Sequence, residues 1–321
     1  MEKILLEVKD LSVDFHSYLG VAEVLDNTSY SIEANSWLGM AGESGCGKTV
    51  SAFSLLKLLP ESVVVRSGQI LFKGEDILKK SRRELRTLRG GEIAVVFQEP
   101  QSALNPSKRV GENIVESIAL HQGIKGQAAK RIAVEMLDRV KIPQPTTRFS
   151  QFPHELSGGM QQRVCIAIAL ACHPSLLIAD EFTTSLDVTT QQEILRLVIE
   201  LQRQLSMSIL FITHDLALIS ECCDEVLIMY AGQILENGRV DHVFRNPRHP
   251  YTRLLIDAIP SISKDSEKLE SIDGSVPSLI HPPKGCRFHT RCKQKISGRC
   301  DMVFPNETAV DDAHRVWCHL Y

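Results

Sequence analysis

Several things this chain lacks narrow what it can be. Nowhere in its 321 residues does an apolar run approach the roughly 18–20 needed to cross a bilayer as a helix. The opening stretch, Met1-Glu2-Lys3-Ile4-Leu5-Leu6-Glu7, has too short an apolar core for a signal peptide. The expectation is therefore a chain that stays in the cytoplasm unless a partner holds it at a membrane. An excess of positive charge is missing too. With 36 Lys and Arg against 39 Asp and Glu the net charge is −3, which argues against nucleic acid as the main partner. Sustained heptads and internal repeats are absent, which removes long coiled-coil arms and tandem domains. What remains, 43% hydrophobic and 23% charged, is an ordinary globular balance, long enough for one large domain and a small one.

One stretch organises the rest. Gly42-Glu43-Ser44-Gly45-Cys46-Gly47-Lys48-Thr49 fits G-x-x-x-x-G-K-[ST]. A short apolar run, Ser36 to Ala41, precedes it as a strand, and Val50 to Leu59 follows with helical spacing. Glycines let successive backbone N–H groups turn onto one anion, and the new helix adds its positive end. Lys48 would reach β- and γ-phosphates, and the Thr49 hydroxyl would ligate Mg²⁺.

Around this loop the chain supplies further candidates. Residues 4 to 36 alternate as antiparallel strands that could lay an aromatic ring on a base, Phe15 first and Tyr18 second; the plain alternative makes Phe15 a core residue. Glu92 to Phe97 reads as a buried strand ending at Gln98, which could reach Mg²⁺ or an attacking water. Pro100 and Pro106 forbid its continuation. Val110 to His121, Gly126 to Val140 and Gly158 to Cys172 carry helical patterns, predicting a helical insertion over about 100–172. Ser157, Gly158 and Gly159 would cap and expose the first N–H groups of the last helix, a second anion site with no lysine in it. Ser175 to Ala179 is an apolar strand ending in Asp180, suited to the Mg²⁺ shell, and Glu181, suited to polarising a water. Ser185-Leu186-Asp187 follows, then a helix from Val188 to about Ser206. His214 stands after another apolar strand, where it could sense a γ-phosphate.

The nine cysteines are unevenly spread. Cys46, Cys165, Cys172, Cys222 and Cys223 read as buried, inert thiols. Cys286, Cys292, Cys300 and Cys318 crowd the last segment, where metal is the leading reading for a cytosolic chain. Their spacing lacks the tight C-x-x-C pairs of zinc knuckles and matches no common ferredoxin pattern, so spacing alone says only four thiols in a loop-rich segment. Four free thiols are the plain alternative. His289, His314 and His319 nearby read as surface residues.

Taken in order, GESGCGKT (42–49), Gln98, LSGGMQQR (156–163), LLIADE (176–181), SLD (185–187) and His214 resemble the nucleotide-binding domain of ABC transporters over roughly residues 4–245. The resemblance implies an α/β P-loop NTPase fold with a RecA-like core, an N-terminal antiparallel β-subdomain, a helical insertion and a small Cys-rich C-terminal extension. It implies an ATPase with Glu181, His214 and Gln98 at the reacting phosphate, and Mg²⁺ on Thr49, Gln98 and Asp180. The nucleotide would contact Gly42, Ser44, Gly45, Cys46, Gly47, Lys48, Thr49, Val50, Asp180 and one of Phe15 or Tyr18. Ser157, Gly158, Gly159 and Asp187 would serve the nucleotide of a head-to-tail partner ATPase.

The segment Asn246-Pro247-Arg248-His249-Pro250-Tyr251-Thr252-Arg253-Leu254-Leu255 and the cysteines of 246–321 resemble the di- and oligopeptide importer ATPases, a group with nickel-uptake relatives. Within it the dipeptide-permease branch looks most similar, with the antimicrobial-peptide branch beside it. That resemblance implies two domains, 1–245 and 246–321, and a [4Fe–4S] cluster on the four cysteines, with zinc as the alternative. It implies a second ATPase subunit, two membrane permeases docking near Gln98 and the helical insertion, an extracytoplasmic binding protein, and a peripheral place on the cytoplasmic face of the inner membrane. Nickel, antimicrobial peptides or oligosaccharides remain alternative cargoes. One departure stands out: Phe182 follows Glu181 where the family usually has proline, which would hold the preceding residue extended. The expectations are a loosened Glu181 with hydrolysis retained; the alternative is a hydrolysis-poor ATP clamp in an asymmetric pair. A soluble ABC ATPase of DNA repair or translation control is the remaining rival, disfavoured by the absent repeat and heptads.

Overall fold

The computed structural model describes residues 4–184, 186–259 and 273–321. Ser185 and Met1-Glu2-Lys3 lie outside the described residues. The chain divides into two compact units, one built from residues 4–78 and 211–321, the other from 79–210.

The first unit opens with β1 (Ile4–Ser17) and β2 (Gly20–Glu33), paired antiparallel. Leu6 and Val8 face the core, then Leu11 and Val13 do. That change of parity is made by a bulge between Val8 and Leu11, with Asp10 at φ 49°, which inserts a residue without turning the apolar face to solvent. β3 (Trp37–Ala41) is buried along its whole length and leads through the glycine loop into α1 (Lys48–Ser54). The sequence reading placed this helix at 50–59; it begins two residues earlier and ends at Ser54. β4 (Val63–Phe72) returns beside β1 and pairs with β5 (Glu75–Asp76), giving the order β2-β1-β4-β5.

The second unit runs through α2 (Arg82–Leu88), β6 (Ile93–Val96), α3 (Pro100–Ala103), α4 (Val110–Gln122), α5 (Gly126–Arg139), α6 (Pro145–Phe149), α7 (Gly158–Leu170), β7 (Leu176–Asp180) and α8 (Val188–Leu205). Ser81 and Glu84 close a reciprocal cap on α2. β6 and β7 pair in parallel, with Ile93 to Val96 against Leu176 to Ala179. Ile114 and Ile118 on α4 and Ala129, Ala133, Met136 and Leu137 on α5 recur at helical spacing and are buried, and they pack with α7, which is buried nearly all round through Val164, Cys165, Ile166, Ala167, Ala169 and Leu170.

β8 (Ser208–Ile212) carries the chain back into the first unit. α9 (Leu216–Cys222), β9 (Glu225–Tyr230), β10 (Gln233–Arg239), α10 (Val240–Arg245), α11 (Pro250–Asp257), β11 (Glu307–Asp311) and β12 (His314–Trp317) follow. β3 lies parallel to β9, β9 antiparallel to β10, β10 to β12 and β12 to β11. The cysteine-bearing segment thus adds a hairpin to the strands that carry the glycine loop. His314, read from the sequence as a surface residue, is buried instead, because β12 sets its ring against Glu236 of β10, with Nε2 and Oε1 2.7 Å apart. The same carboxylate accepts from the Arg248 and His249 backbone N–H groups at 2.7 and 2.9 Å, so one fully buried Glu ties three stretches together.

Candidate functional site

The glycine loop is shaped by steric demand. Gly42, Gly45 and Gly47 all take positive φ, at 151°, 77° and 104°. A Cβ on Gly42 would stand 2.1 Å from the Met229 carbonyl oxygen, so the loop meets β9 with no room for a side chain. A Cβ on Gly45 would meet nothing within 4 Å. Ser44, Gly45 and Thr49 are exposed while Cys46, Gly47 and Lys48 are buried, so the loop is anchored behind and open in front. Lys48 Nζ donates to the carbonyls of Gly42 (2.7 Å) and Glu43 (3.2 Å). Its charge is therefore solvated by the loop's own backbone, in a position from which it can be handed to an anion. Val50 is half-buried on α1. Burial pushes the Cys46 thiol up, so that side chain is an inert wall and its backbone is the useful part.

In the same unit Phe15 is 38% exposed and Tyr18 96% exposed. Phe15 is thus no core residue: at the end of β1, paired with Ala22 and Val63, its ring is presented outward. His214 is exposed directly after β8.

The second unit holds the other candidates. Asp180 closes β7 and is 7% exposed. Glu181 takes φ 43°, a left-handed conformation. Gln98, exposed past the end of β6, donates its amide to Glu181 Oε2 at 3.5 Å, so these two predicted residues meet. Phe182 is 1% exposed and Thr183 4%, and the Thr184 N–H closes a turn onto the Glu181 carbonyl at 3.1 Å. Ser157 caps α7, accepting from the Met160 N–H at 3.4 Å. A Cβ on Gly158 would meet open space, whereas one on Gly159 would stand 2.8 Å from Thr190 Cγ2. Asp187 caps α8, accepting from the Thr190 N–H (3.0 Å) and hydroxyl (2.7 Å), and these bonds hold its carboxyl below the usual range. Thr190 therefore joins the Ser157-Gly158-Gly159 turn to Asp187.

The four late cysteines converge. All are free thiols. Burial pushes Cys286 up to about 12, and Cys318, Cys300 and Cys292 each add to that shift. A Cβ on Gly285, at φ 68°, would meet the Cys300 carbonyl oxygen at 2.4 Å, so only glycine lets the Cys286 N–H donate there at 3.0 Å. His289 Nδ1 faces the Cys286 carbonyl and His319 Nε2 the Val303 carbonyl, each at 2.9 Å. Among the described residues no group of three or more His, Cys, Asp or Glu has the closeness a single metal ion needs.

Sequence reasoning missed three residues here. Arg291 gives Nη1 and Nη2 to the two carboxylate oxygens of Glu43 at 2.6 and 3.1 Å. The Tyr251 hydroxyl accepts from the Glu43 N–H at 2.9 Å. His249 accepts from the Tyr251 N–H at Nδ1 (3.0 Å), and its Nε2 lies 3.9 Å from Cys286 Sγ. The segment 246–255 was the available signal, since it placed His249 and Tyr251 together without saying what they touch.

Comparison with known proteins agrees with this geometry. Residues 25–184 match the family described as ABC transporter, and residues 235–300 match the oligopeptide/dipeptide transporter C-terminal region. The chain is 42% identical over 321 residues to the dipeptide transport ATP-binding protein DppD of Bacillus subtilis, covering 100% of this chain and 95% of that one. It is 47% identical over 289 residues to the oligopeptide transport ATP-binding protein OppD of the same organism, covering 89% and 81%. DppD of Escherichia coli K12 is 42% identical over 98% of this chain and 96% of its own. Among solved structures, cbiO1 of Clostridium perfringens, part of the transporter complex cbiONQ, superposes with TM-score 0.65 at 27% identity over 76% of this chain and 92% of that one. The cassette MJ0796, in a dimeric state bound to ADP and Pi, gives 0.65 at 24% identity over 73% and 98%, a likeness of fold.

Proposed function

This chain belongs to the ABC transporter ATP-binding proteins with an oligopeptide/dipeptide C-terminal region, and from that premise we propose how its residues use ATP to energise peptide import. The phosphate loop carries the reading: an open Gly45 in front, and behind it a buried lysine whose charge is solvated by the loop's own backbone carbonyls. The loop N–H groups and Lys48 bind the β- and γ-phosphates, and Phe15 or Tyr18 stacks on the base. Thr49, Asp180 and Gln98 supply the hard oxygen donors that Mg²⁺ prefers, and the bound ion offsets phosphate charge. Glu181 takes a proton from the attacking water, Gln98 orients it, and His214 contacts the γ-phosphate. Ser157, Gly158, Gly159 and Asp187 face the nucleotide of a second, different ATPase subunit in a head-to-tail pair, so that closure depends on the γ-phosphate. Two membrane permeases and an extracytoplasmic binding protein complete the assembly. The chain itself takes a peripheral place on the cytoplasmic face, held there by the permeases; no helix among the described residues is long and apolar enough to cross a membrane.

Turnover by the assembled importer tests the roles. Lys48→Ala should lose ATP binding. Glu181→Gln should keep it and lose about 10²–10⁴ in hydrolysis rate. Unchanged turnover in Glu181→Gln would make this chain the hydrolysis-poor clamp of an asymmetric pair.

The four-cysteine centre is proposed to hold a [4Fe–4S] cluster. Support comes from a donor set of thiols alone that influence one another, with His289 and His319 engaged elsewhere. A four-iron cluster also spreads its ligands wider than zinc does. It would tie the loop-rich segment together. Iron analysis and the visible spectrum of anaerobically purified chain should give about four irons and absorbance that bleaches on reduction. One zinc, or no metal, would refute the cluster.

A further inference from the structure

We infer that Arg291 is a positioning residue for nucleotide binding: it masks the carboxylate of Glu43 inside the phosphate loop, and so makes ATP affinity depend on the cysteine-bearing segment. The inference rests on the ATP-binding reading of residues 42–49. Glu43 is an awkward residue to find there. A loop that gathers a polyphosphate carries a carboxylate next to Gly42, and like charges at close range in a partly enclosed site repel strongly.

The molecule answers that charge from far along the chain. Both oxygens of Glu43 are taken by the Arg291 guanidinium, 248 residues away, in the two-pronged geometry that is strongest for this pair. The pair is enclosed, with side chains 5% exposed for Arg291 and 25% for Glu43. Arg291 is itself fixed. Its Nε donates to the Asp273 carbonyl at 2.8 Å, its Nη1 to the Tyr230 hydroxyl at 3.2 Å, and its guanidinium stands 5.7 Å from the Tyr230 ring centre. The Glu43 N–H is held by Tyr251, and the Glu43 carbonyl accepts from Lys48. One loop residue therefore gathers a mask for its charge, an anchor for its backbone and a contact to the phosphate-binding lysine.

Two of those three holds come from the cysteine-bearing segment and its approach. Arg291 precedes Cys292 in the chain, and Tyr251 is hydrogen-bonded to His249, whose ring faces Cys286. Arg291 is joined directly to Cys292, so a change in how that cysteine is held would reach the guanidinium through one peptide bond and would leave the Glu43 carboxylate uncompensated in the phosphate loop. The cysteine centre thus acts on the phosphate loop without touching ATP.

The test is equilibrium binding of a fluorescent, slowly hydrolysed ATP analogue to the full chain, with melting temperature and iron content recorded beside it. Arg291→Met should weaken binding about tenfold, the equivalent of about 1.4 kcal/mol. Arg291→Lys, which keeps the charge, should stay within about threefold of wild type by the same arithmetic. The decisive variant is Arg291→Met with Glu43→Gln, which removes the unmasked charge and should recover most of the loss. Cys292→Ser should weaken binding in the wild-type background and have little effect in the double variant. Wild-type affinity in folded Arg291→Met, or a double variant as weak as Arg291→Met alone, would overturn the inference. A wild-type chain that binds no ATP analogue would overturn the nucleotide reading beneath it.

Discussion

Arg287 is a buried, heavily bonded cation in the first unit, and replacing it with methionine should be costly. The side chain is 2% exposed. Nη1 donates to the carbonyls of Ala231 (2.6 Å) and Glu23 (3.0 Å), and Nη2 to Glu23 Oε2 (2.8 Å) and Asp26 Oδ2 (3.4 Å). Methionine keeps the apolar stem and leaves these acceptors behind. The two carbonyls lose a charged donor at roughly 1 kcal/mol or more each. Glu23 and Asp26 are 38% and 34% exposed, so water recovers most of their hydration and their share is small. Burial opposes the charge and lowers the Arg287 pKa, so removing the cation also returns some desolvation cost. The balance is about 2–4 kcal/mol of lost stability. Urea unfolding followed by tryptophan fluorescence suits the question, because both tryptophans, Trp37 and Trp317, lie in this unit. Arg287→Lys should recover part of the loss, having one ammonium for four acceptors. An Arg287→Met stability within about 0.5 kcal/mol of wild type would refute the carbonyl argument, since that is the range of an ordinary surface change.

Three more outcomes follow from the second unit and the caps. Gly159→Ala should lower unfolding stability by about 1 kcal/mol, because its Cβ must displace Thr190 Cγ2 from 2.8 Å. Gly158→Ala meets open space, so its urea midpoint should match wild type. If the proposed partner nucleotide lies over that turn, Gly158→Ala should still slow hydrolysis in the assembled pair. The Thr190 bonds hold the Asp187 carboxyl below the usual carboxylate range, so the folded state favours its ionised form. Its contribution is therefore present above the unfolded-state value and lost as pH falls through the lowered folded value. The stability gap between wild type and Asp187→Asn, measured by urea titration from neutral pH downward, should be constant at first and close only in acid. A gap that widened on acidification would contradict this sign.

What the sequence made legible follows a physical line. The phosphate loop could be read because most of its requirements are local: positive φ at Gly45 and Gly47, a strand before and a helix after. The bare Cα at Gly42 answers instead to a distant neighbour, the Met229 carbonyl. The helical run from Val110 to Leu170 was legible for the same reason, since its periodicity is written within each helix. The partners of Glu43 were not, because nothing near residue 43 hints at Arg291 or Tyr251; only the closed fold brings them there. His314 failed differently. A histidine in a polar, loop-rich tail reads as exposed until β12 is known to pair with β10 and to set that ring on Glu236.

Phe182 shows both kinds of information acting on one residue. The missing proline was visible, and the local argument said that Glu181 should be loosened. The folded chain answers with burial: Phe182 is sunk into the core at 1% exposure, Thr183 follows at 4%, and the Thr184 N–H turns back onto the Glu181 carbonyl. Proline would have restricted Glu181 through its ring, toward extended backbone. Phenylalanine instead permits the observed φ of 43° and holds the segment by packing. The carboxylate is therefore held within reach of Gln98 with no proline present.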